Sequence, residues 1–246
     1  MKINFATISV APVEELTRRR KWAGKQNYRP VSHGSGPIAI VGNGPSVVRH
    51  LGEIASFPTV WAINSAVRVL RSHLIQSTLF TIDPMPGIAE FAEMVDKVIV
   101  TDYAHPDVLK VAKNIEMFPA EGMIHGSTTA TAAPHIALSA GYEHLHFFGC
   151  EGSFEETTHA DGNIEGDRLD VVCNGDIYET NPQMFIQCQA LSPLFRDAPE
   201  YFSESSGGLL RAMVRDADYD IVRANKEFAD SLNIGAENGV HQQIGP

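Results

Sequence analysis

One stretch decides the fold of this chain: Ile38-Ala39-Ile40-Val41-Gly42-Asn43-Gly44-Pro45-Ser46. Its first four residues are apolar and mostly β-branched, which is typical of a buried strand, and Gly-Asn-Gly-Pro then ends that strand. Residues 46–56 follow with apolar side chains at helical spacing and predict a helix. A strand, a tight turn and a helix in this order form the first unit of an α/β sheet.

The same alternation continues through the next hundred residues. Further strands are predicted at 59–63, 77–82, 97–101, 115–118 and 145–148, with helices at 66–74, 88–95, 106–113 and 128–140 between them. Pro134 should shorten or kink the first turns of the last of these helices. Short connections between alternating elements predict a Rossmann-like, doubly wound, mostly parallel sheet with helices on both faces.

The pattern changes after Gly149. Residues 150–181 are polar and have turn signals at Asp161-Gly162 and Asn174-Gly175, which predicts a long loop or a lid carrying a hairpin. A helix at 182–195, a short strand at 201–203 and a last helix at 222–232 follow. The chain is therefore expected to contain a basic N-terminal arm (1–36), a nucleotide-binding transferase domain (37–212) and a helical tail (213–246).

Charge and cysteine usage narrow the function classes. The net charge is −11, but residues 1–30 carry +5 and the remainder −16. An acidic body argues against a nucleic-acid groove. The basic arm is expected to be solvated, although it could dock a membrane, a partner or an acidic substrate. No apolar run is long enough to span a bilayer, and the three cysteines are interpreted as reduced thiols, so a cytoplasmic location is expected.

Polar residues follow the predicted strands in sequence. Asn43, Asn64, Asp83 and Asp102 end four of them, and Gly149-Cys150-Glu151 ends a later one. Gly126, Ser127 and Thr128 open a helix at the same predicted edge, where parallel sheets bind ligands. Each residue also has a simpler interpretation: Asn64 could cap a helix, Asp83 could belong to a turn, and one hydroxyl could cap residues 128–140. As a ligand, Asp83 could bind Mg²⁺ or a ribose hydroxyl.

The loop made by Gly42, Asn43, Gly44 and Ser46 could bring its backbone close to a phosphate at a helix N-terminus. It matches neither the dinucleotide fingerprint nor the P-loop, and a plain strand-to-helix turn explains it equally well. His159, in the polar region, has a suitable pKa range for acid–base work, although a lone loop histidine is often only a surface residue.

Several motifs, in the same order, resemble the MptE-like family, which includes an archaeal 6-hydroxymethyl-dihydropterin diphosphokinase and bacterial motility-associated glycosyltransferases. The resemblance covers about residues 37–212. Its motifs are residues 38–46, 62–66, 81–83, 126–133, 140–142, 145–149, 159–162, 174–175 with Thr180, and 206–208. The family's Gly-x-Asp after the late strand is replaced here by Gly149-Cys150-Glu151, which could shift a metal or hydroxyl contact.

The loop Asn43-Gly44-Pro45-Ser46 is also similar to bacterial sialyltransferases that use a cytidine-nucleotide sugar. That similarity implies that Asn43, Asn64 and the Ser127–Thr128 region contact the nucleotide. The catalytic histidine of those enzymes lies further along the chain, where this sequence has only His241, so that base is not carried over.

Three functions follow from these observations. The first is a glycosyltransferase with a CMP- or UDP-type sugar donor, in which His159, Asp83 or Glu151 would deprotonate a sugar or protein acceptor. The second is pyrophosphoryl transfer from ATP to a pterin, with Mg²⁺ at Asp83. The third is a non-catalytic nucleotide-binding module. All three are compatible with a homo-oligomer.

Overall fold

A parallel sheet forms the centre of the molecule in the computed structural model, which describes residues 11–120, 128–154 and 168–223. The strands within these ranges are β1 Pro37–Val41, β2 Val60–Ile63, β3 Thr78–Thr81, β4 Val98–Thr101, β5 Ile115–Phe118, β6 His144–Phe148, β7 Leu169–Cys173, β8 Asp176–Thr180, β9 Phe202–Glu204 and β10 Tyr219–Arg223. Seven of these described strands form one sheet in the order β5-β4-β3-β2-β1-β6-β9. Every neighbouring pair is parallel, which confirms the predicted fold class.

Helices cover both faces of this sheet, as the buried strand runs require. In the described part of the chain they are α1 Val13–Ala23, α2 Leu51–Ile54, α3 Ala66–Ser72, α4 Ile88–Glu93, α5 Pro106–Val111, α6 Thr129–Ser139, α7 Pro182–Asp197 and α8 Gly208–Arg215. Apolar residues of α6, α7 and α8 pack on one face, above a stack of Trp61 on Phe80 and Phe80 on Phe118. Those of α2, α3, α4 and α5 pack on the other.

The side of the sheet to which new strands are added changes between β1 and β6, although all of its strands are parallel. The strands after β1 extend to one side, and the chain then crosses back to place β6 beside β1, with Val41 paired to Phe148. The crevice at such a switch point, beyond the carboxyl ends of the strands, is the usual ligand position in this fold. The loops that follow Val41 and Phe148 border this crevice.

A second, antiparallel sheet in the order β10-β7-β8 follows the parallel one in the chain. Strands β7 and β8 form the predicted hairpin, and its turn residues Asn174 and Gly175 have φ values of 56° and 82°. Positive φ at both turn positions is the geometry that Asn-Gly favours. Strand β10 pairs with β7, so residues 219–223 are not the start of a helical tail. The rest of the helix predicted at 222–232 lies outside the described residues.

Most side chains of residues 11–36 are exposed, as their charge suggested, but the segment also contacts the sheet at several points. Helix α1 lies at the carboxyl end of β3, where Arg19 donates to the carbonyl of Pro84 at 2.7 Å. The chain then runs beside β5, with Arg29 bridged to Glu116 and Ser32 N–H bonded to the Glu116 carboxylate. The Met117 N–H also donates to the Arg29 carbonyl at 2.8 Å, so this segment covers part of the outer edge of β5.

Two helices differ from their sequence predictions. Residues 46–56 form a 3-10 helix, Pro45–Arg49, followed by the single turn α2, and His50 between them has non-helical torsion angles. Helix α6 continues through Pro134 to Ser139, so the proline does not end its first turns. Residues 129–134 and Ala137 are all buried. This packing stabilises the helix although it contains a proline.

Candidate functional site

The ends of β1 and β2 place two asparagines side by side. Val41 pairs with Ala62, and Asn43 and Asn64 each lie two residues further along their strands. The Asn43 amide donates to the Ser65 hydroxyl at 2.8 Å, which ties the two strand ends together. Asn64 has a φ of 48°, a left-handed conformation that asparagine accepts more readily than most residues. Asn64 therefore ends the strand in a turn and is not a plain extended residue.

Both asparagines have a buried carboxamide oxygen without a hydrogen-bond partner. Among the residues that the structure describes, only five side chains contain such an atom, and Asn43 and Asn64 are two of them. A buried acceptor without a partner is costly, and most such groups in folded proteins are satisfied. Two of them on adjacent strand ends make this edge of the sheet the candidate ligand site.

The switch point between β1 and β6 is filled by the chain itself. The Glu151 carboxylate is buried and accepts from the Ser46 N–H at 2.7 Å and from the Ser46 hydroxyl at 2.9 Å. The N–H groups of Gly42 and Gly44 donate to the carbonyls of Phe148 and Gly149. A phosphate at this loop would have to displace the Glu151 carboxylate, so the loop glycines serve the close approach of Glu151 and Gly149.

Asp83 lies at the carboxyl end of β3 in a short turn. Its carboxylate accepts from the Met85 N–H at 2.9 Å, and its own N–H donates to the Thr81 hydroxyl at 3.0 Å. In the described ranges no three His, Cys, Asp or Glu residues come together as a metal-binding group. Asp83 thus has no companion ligands for a protein-built metal cage among the described residues, and its roles as a base or a Mg²⁺ ligand stay predictions.

Thr128 begins α6 at the same edge of the sheet. Its hydroxyl accepts from the Thr131 N–H, and the Thr131 side chain bonds back to Thr128, which makes a reciprocal cap. The Thr128 hydroxyl also lies 3.2 Å from the Gln187 carboxamide oxygen on α7. Thr128 is therefore engaged in capping, and Gln187 is the neighbour that the sequence did not suggest.

Three further predicted site residues lie outside the described residues: Gly126, Ser127 and His159. Their contribution to binding or acid–base chemistry stays a prediction. Within the described ranges, Asn43, Asn64 and Asp83 lie on successive strands at one edge, and Thr128 opens a helix at that edge. Adjacent strands thus place these three residues at one edge of the sheet, and their convergence on a single pocket stays a prediction.

Comparison with solved structures shows a similarity of low sequence identity. The chain resembles a mammalian sialyltransferase solved in complex with Gal-β-1-3GalNAc-ortho-nitrophenol, at 10% sequence identity and a TM-score of 0.42. The match covers 82% of this chain and 89% of that chain. No family model matches the sequence, and no curated protein matches it.

The N-terminal segment adds residues that the sequence did not place at this edge. Arg20 forms an ion pair with Asp102 after β4, at 3.3 Å, and Asp102 also accepts from the Ala120 N–H. Burial raises the pKa of the neighbouring Tyr103, so its phenol stays protonated at neutral pH. Asp102 thus joins α1 to the sheet. No signal in the sequence linked residues 82 positions apart.

The three cysteines are buried and free, as interpreted from their spacing. Burial raises the pKa of the Cys150 and Cys188 thiols, and raises that of Cys173 to about 11. The thiolate is the nucleophilic form. These cysteines are therefore packing residues and not candidates for covalent catalysis.

Proposed function

We propose that this chain is a glycosyltransferase that uses a nucleotide-activated sugar, with a cytidine nucleotide as the first choice of donor. The observation that carries the proposal is the pair of buried, unpartnered carboxamide oxygens of Asn43 and Asn64. Both lie at the carboxyl edge of a doubly wound parallel sheet, where nucleotides bind in this fold.

The chemistry of these two atoms selects the ligand. A carboxamide oxygen only accepts hydrogen bonds, and a phosphate at neutral pH also offers mainly acceptors. The Asn43 and Asn64 oxygens therefore match hydroxyl or amino groups, which a ribose, a sugar and a cytosine ring all present. The Glu151 carboxylate at the neighbouring loop supports the same choice of ligand group. It already accepts from the Ser46 N–H, so this amide is not available to a phosphate.

In the proposed reaction, the acceptor hydroxyl oxygen attacks the anomeric carbon of the donor sugar. The bond from that carbon to the phosphate oxygen breaks, and the nucleotide leaves with its electron pair. The acceptor proton passes to a base, for which Asp83 and His159 are the candidates. Asn43 and Asn64 would hold the nucleoside while Thr128 and the start of α6 lie beside the leaving phosphate.

Binding experiments test the proposal directly. Calorimetric titrations with CMP, UDP, ATP and a pterin, each with and without Mg²⁺, are expected to show CMP binding that needs no added metal. Incubation with a CMP-activated sugar and a sugar acceptor should then release CMP. Binding of ATP only with Mg²⁺, together with a pterin, would favour the diphosphokinase. CMP binding without any turnover would leave a non-catalytic module.

Two variants test the roles of Asn43 and Asn64, and a third variant is the control. Asn43→Ala removes an acceptor, and Asn64→Gly does so while keeping the left-handed backbone that alanine would strain. Each should weaken CMP binding by roughly three- to tenfold, the value of one hydrogen bond. Asn114→Ala is the matched control, because Asn114 is exposed and precedes β5 at the opposite edge. Equal affinity in all three variants would remove the asparagines from the site.

A further inference from the structure

Helix α1 presents a basic surface with an aromatic residue in it. Arg18, Lys21 and Trp22 are exposed and lie within one turn of each other on the helix, and the exposed Lys25 follows just after its end. We name these four residues the basic face. The Trp22 side chain is 44% exposed, although tryptophan is usually well buried.

The opposite side of α1 fixes the basic face in place. Arg19 is 8% exposed and donates to the Pro84 carbonyl at 2.7 Å, while Arg20 pairs with Asp102 at 3.3 Å. Both contacts are with residues that follow strands of the parallel sheet, so α1 is held at the carboxyl edge. The basic face is therefore a surface with a defined position and orientation.

Charge is distributed unevenly between the N-terminal segment that contains this face and the rest of the chain. Residues 1–30 carry a charge of +5 and residues 31–246 carry −16. Such a molecule is oriented by a negatively charged surface, because α1 is attracted and the acidic body is repelled. The same repulsion disfavours a large polyanion that would wrap around the body.

Three cations around one exposed indole fit a lipid surface better than a protein or nucleic-acid groove. Lysine and arginine interact with anionic headgroups, and tryptophan favours the boundary between headgroups and acyl chains. We propose that the basic face of α1 docks on a membrane surface containing anionic lipid. The docking is peripheral: no helix in the described residues is long and apolar enough to cross a bilayer.

This docking would place the candidate site beside the membrane. Asn43, Asn64 and Asp83 lie at the same carboxyl edge as α1. An acceptor anchored in the lipid surface could then reach the strand ends without leaving the membrane. The docking itself does not depend on the proposed function, because it concerns a different surface and a different readout.

The test is sedimentation of the full chain with vesicles of phosphatidylcholine alone or with added phosphatidylglycerol. Binding is expected only with phosphatidylglycerol, and added salt should weaken it. The emission of Trp22 should shift to shorter wavelength on binding, while Trp61, which is 2% exposed, contributes a constant background. Sedimentation without that shift, or equal binding to a DNA duplex, would overturn the lipid assignment.

A charge-matched pair of variants completes the test. Lys21→Glu with Lys25→Glu should weaken binding to phosphatidylglycerol vesicles by at least about 25-fold, since each basic residue near such a surface contributes a factor of roughly five. Lys110→Glu with Lys113→Glu changes the charge equally at exposed lysines outside α1, and should change binding by less than about twofold. An equal loss in both pairs would overturn the proposal, as would no binding by the unmodified chain.

Discussion

Glu151 and Ser46 are joined by two hydrogen bonds across the junction of β1 and β6. The Ser46 N–H and hydroxyl both donate to this buried carboxylate, at 2.7 and 2.9 Å. The start of the 3-10 helix Pro45–Arg49 thus binds an anion that belongs to the protein. Glu151 therefore has a structural role at the junction of β1 and β6, and its removal tests that role.

Glu151→Ala should lower the free energy of unfolding by about 3 kcal/mol, because it leaves two buried donors without an acceptor. Ser46→Ala should cost less, about 1–2 kcal/mol, because the backbone N–H still has its carboxylate. Urea unfolding followed by circular dichroism measures both. A Glu151→Ala variant as stable as the unmodified protein would contradict this role.

Gly44→Ala should also destabilise the fold, since the added methyl group would overlap the Glu151 carboxylate. We expect a loss of about 1–3 kcal/mol. Gly52→Ala is the control: a methyl group at Gly52, inside α2, meets no atom within 4 Å. Gly52→Ala should be neutral or stabilise by about 0.5–1 kcal/mol. Equal effects at the two positions in thermal unfolding would refute the close approach.

Arg19→Ala should loosen α1 from the sheet. Arg19 is buried and bonded to the Pro84 carbonyl and to Glu15, whereas the adjacent Arg18 is exposed. Trypsin should therefore cut residues 11–36 of Arg19→Ala faster than those of the unmodified chain. Arg18→Ala should digest like the unmodified chain, apart from the lost cleavage site. Identical digestion of both variants would show that the Arg19 contacts do not hold α1.

His146 should make stability depend on pH. Burial lowers the pKa of its imidazole below 6.5, and both ring nitrogens lie within hydrogen-bond distance of serine hydroxyls, at 2.7 Å from Ser203 and 2.8 Å from Ser205. The other groups that act on it are Glu53, His144, Glu204 and His50. Because the unfolded chain takes up this proton first, the stabilising contribution is complete above pH 6.5 and declines as the pH falls through the folded pKa.

The measurement is the urea midpoint of unfolding at pH values above 6.5 and at lower pH, where His146 takes up its proton. His146→Gln should flatten the decline on the acid side, while His73→Gln, at an exposed histidine, should leave it unchanged. If His146→Gln followed the same pH profile as the unmodified protein, the protonation of His146 would not contribute to acid unfolding.

The repeating part of the fold was predictable because its signals are local. Buried strand runs and short connections predicted the parallel sheet, and Asn174-Gly175 predicted the hairpin. The strand-end positions of Asn43, Asn64 and Asp83 followed from the same alternation. Each of these predictions depends on residues close together in the chain, or on a general rule for parallel sheets.

Long-range contacts account for what the sequence did not predict. Ser46 and Glu151 are 105 positions apart, and no local pattern indicated that a carboxylate would occupy the first helix start. The charge run at Arg18–Lys21 resembled a solvated arm, yet Arg19 is buried by contacts with residues after β3. Strand β10 forms only by pairing with β7, so Val222 was equally compatible with a helix.

The main-chain contact between Gly42 and Gly149 also bears on how sequences of this fold can diverge. Side chains cannot be added at either position without overlap, so the β1–β6 junction should tolerate almost no variation. The turn after β2 has a different constraint, because Asn64 has a φ of 48° that few residues other than asparagine and glycine adopt. New ligand preferences are therefore expected to arise at Ser65 and Asp83, while Asn64 and the small residues of the junction are kept.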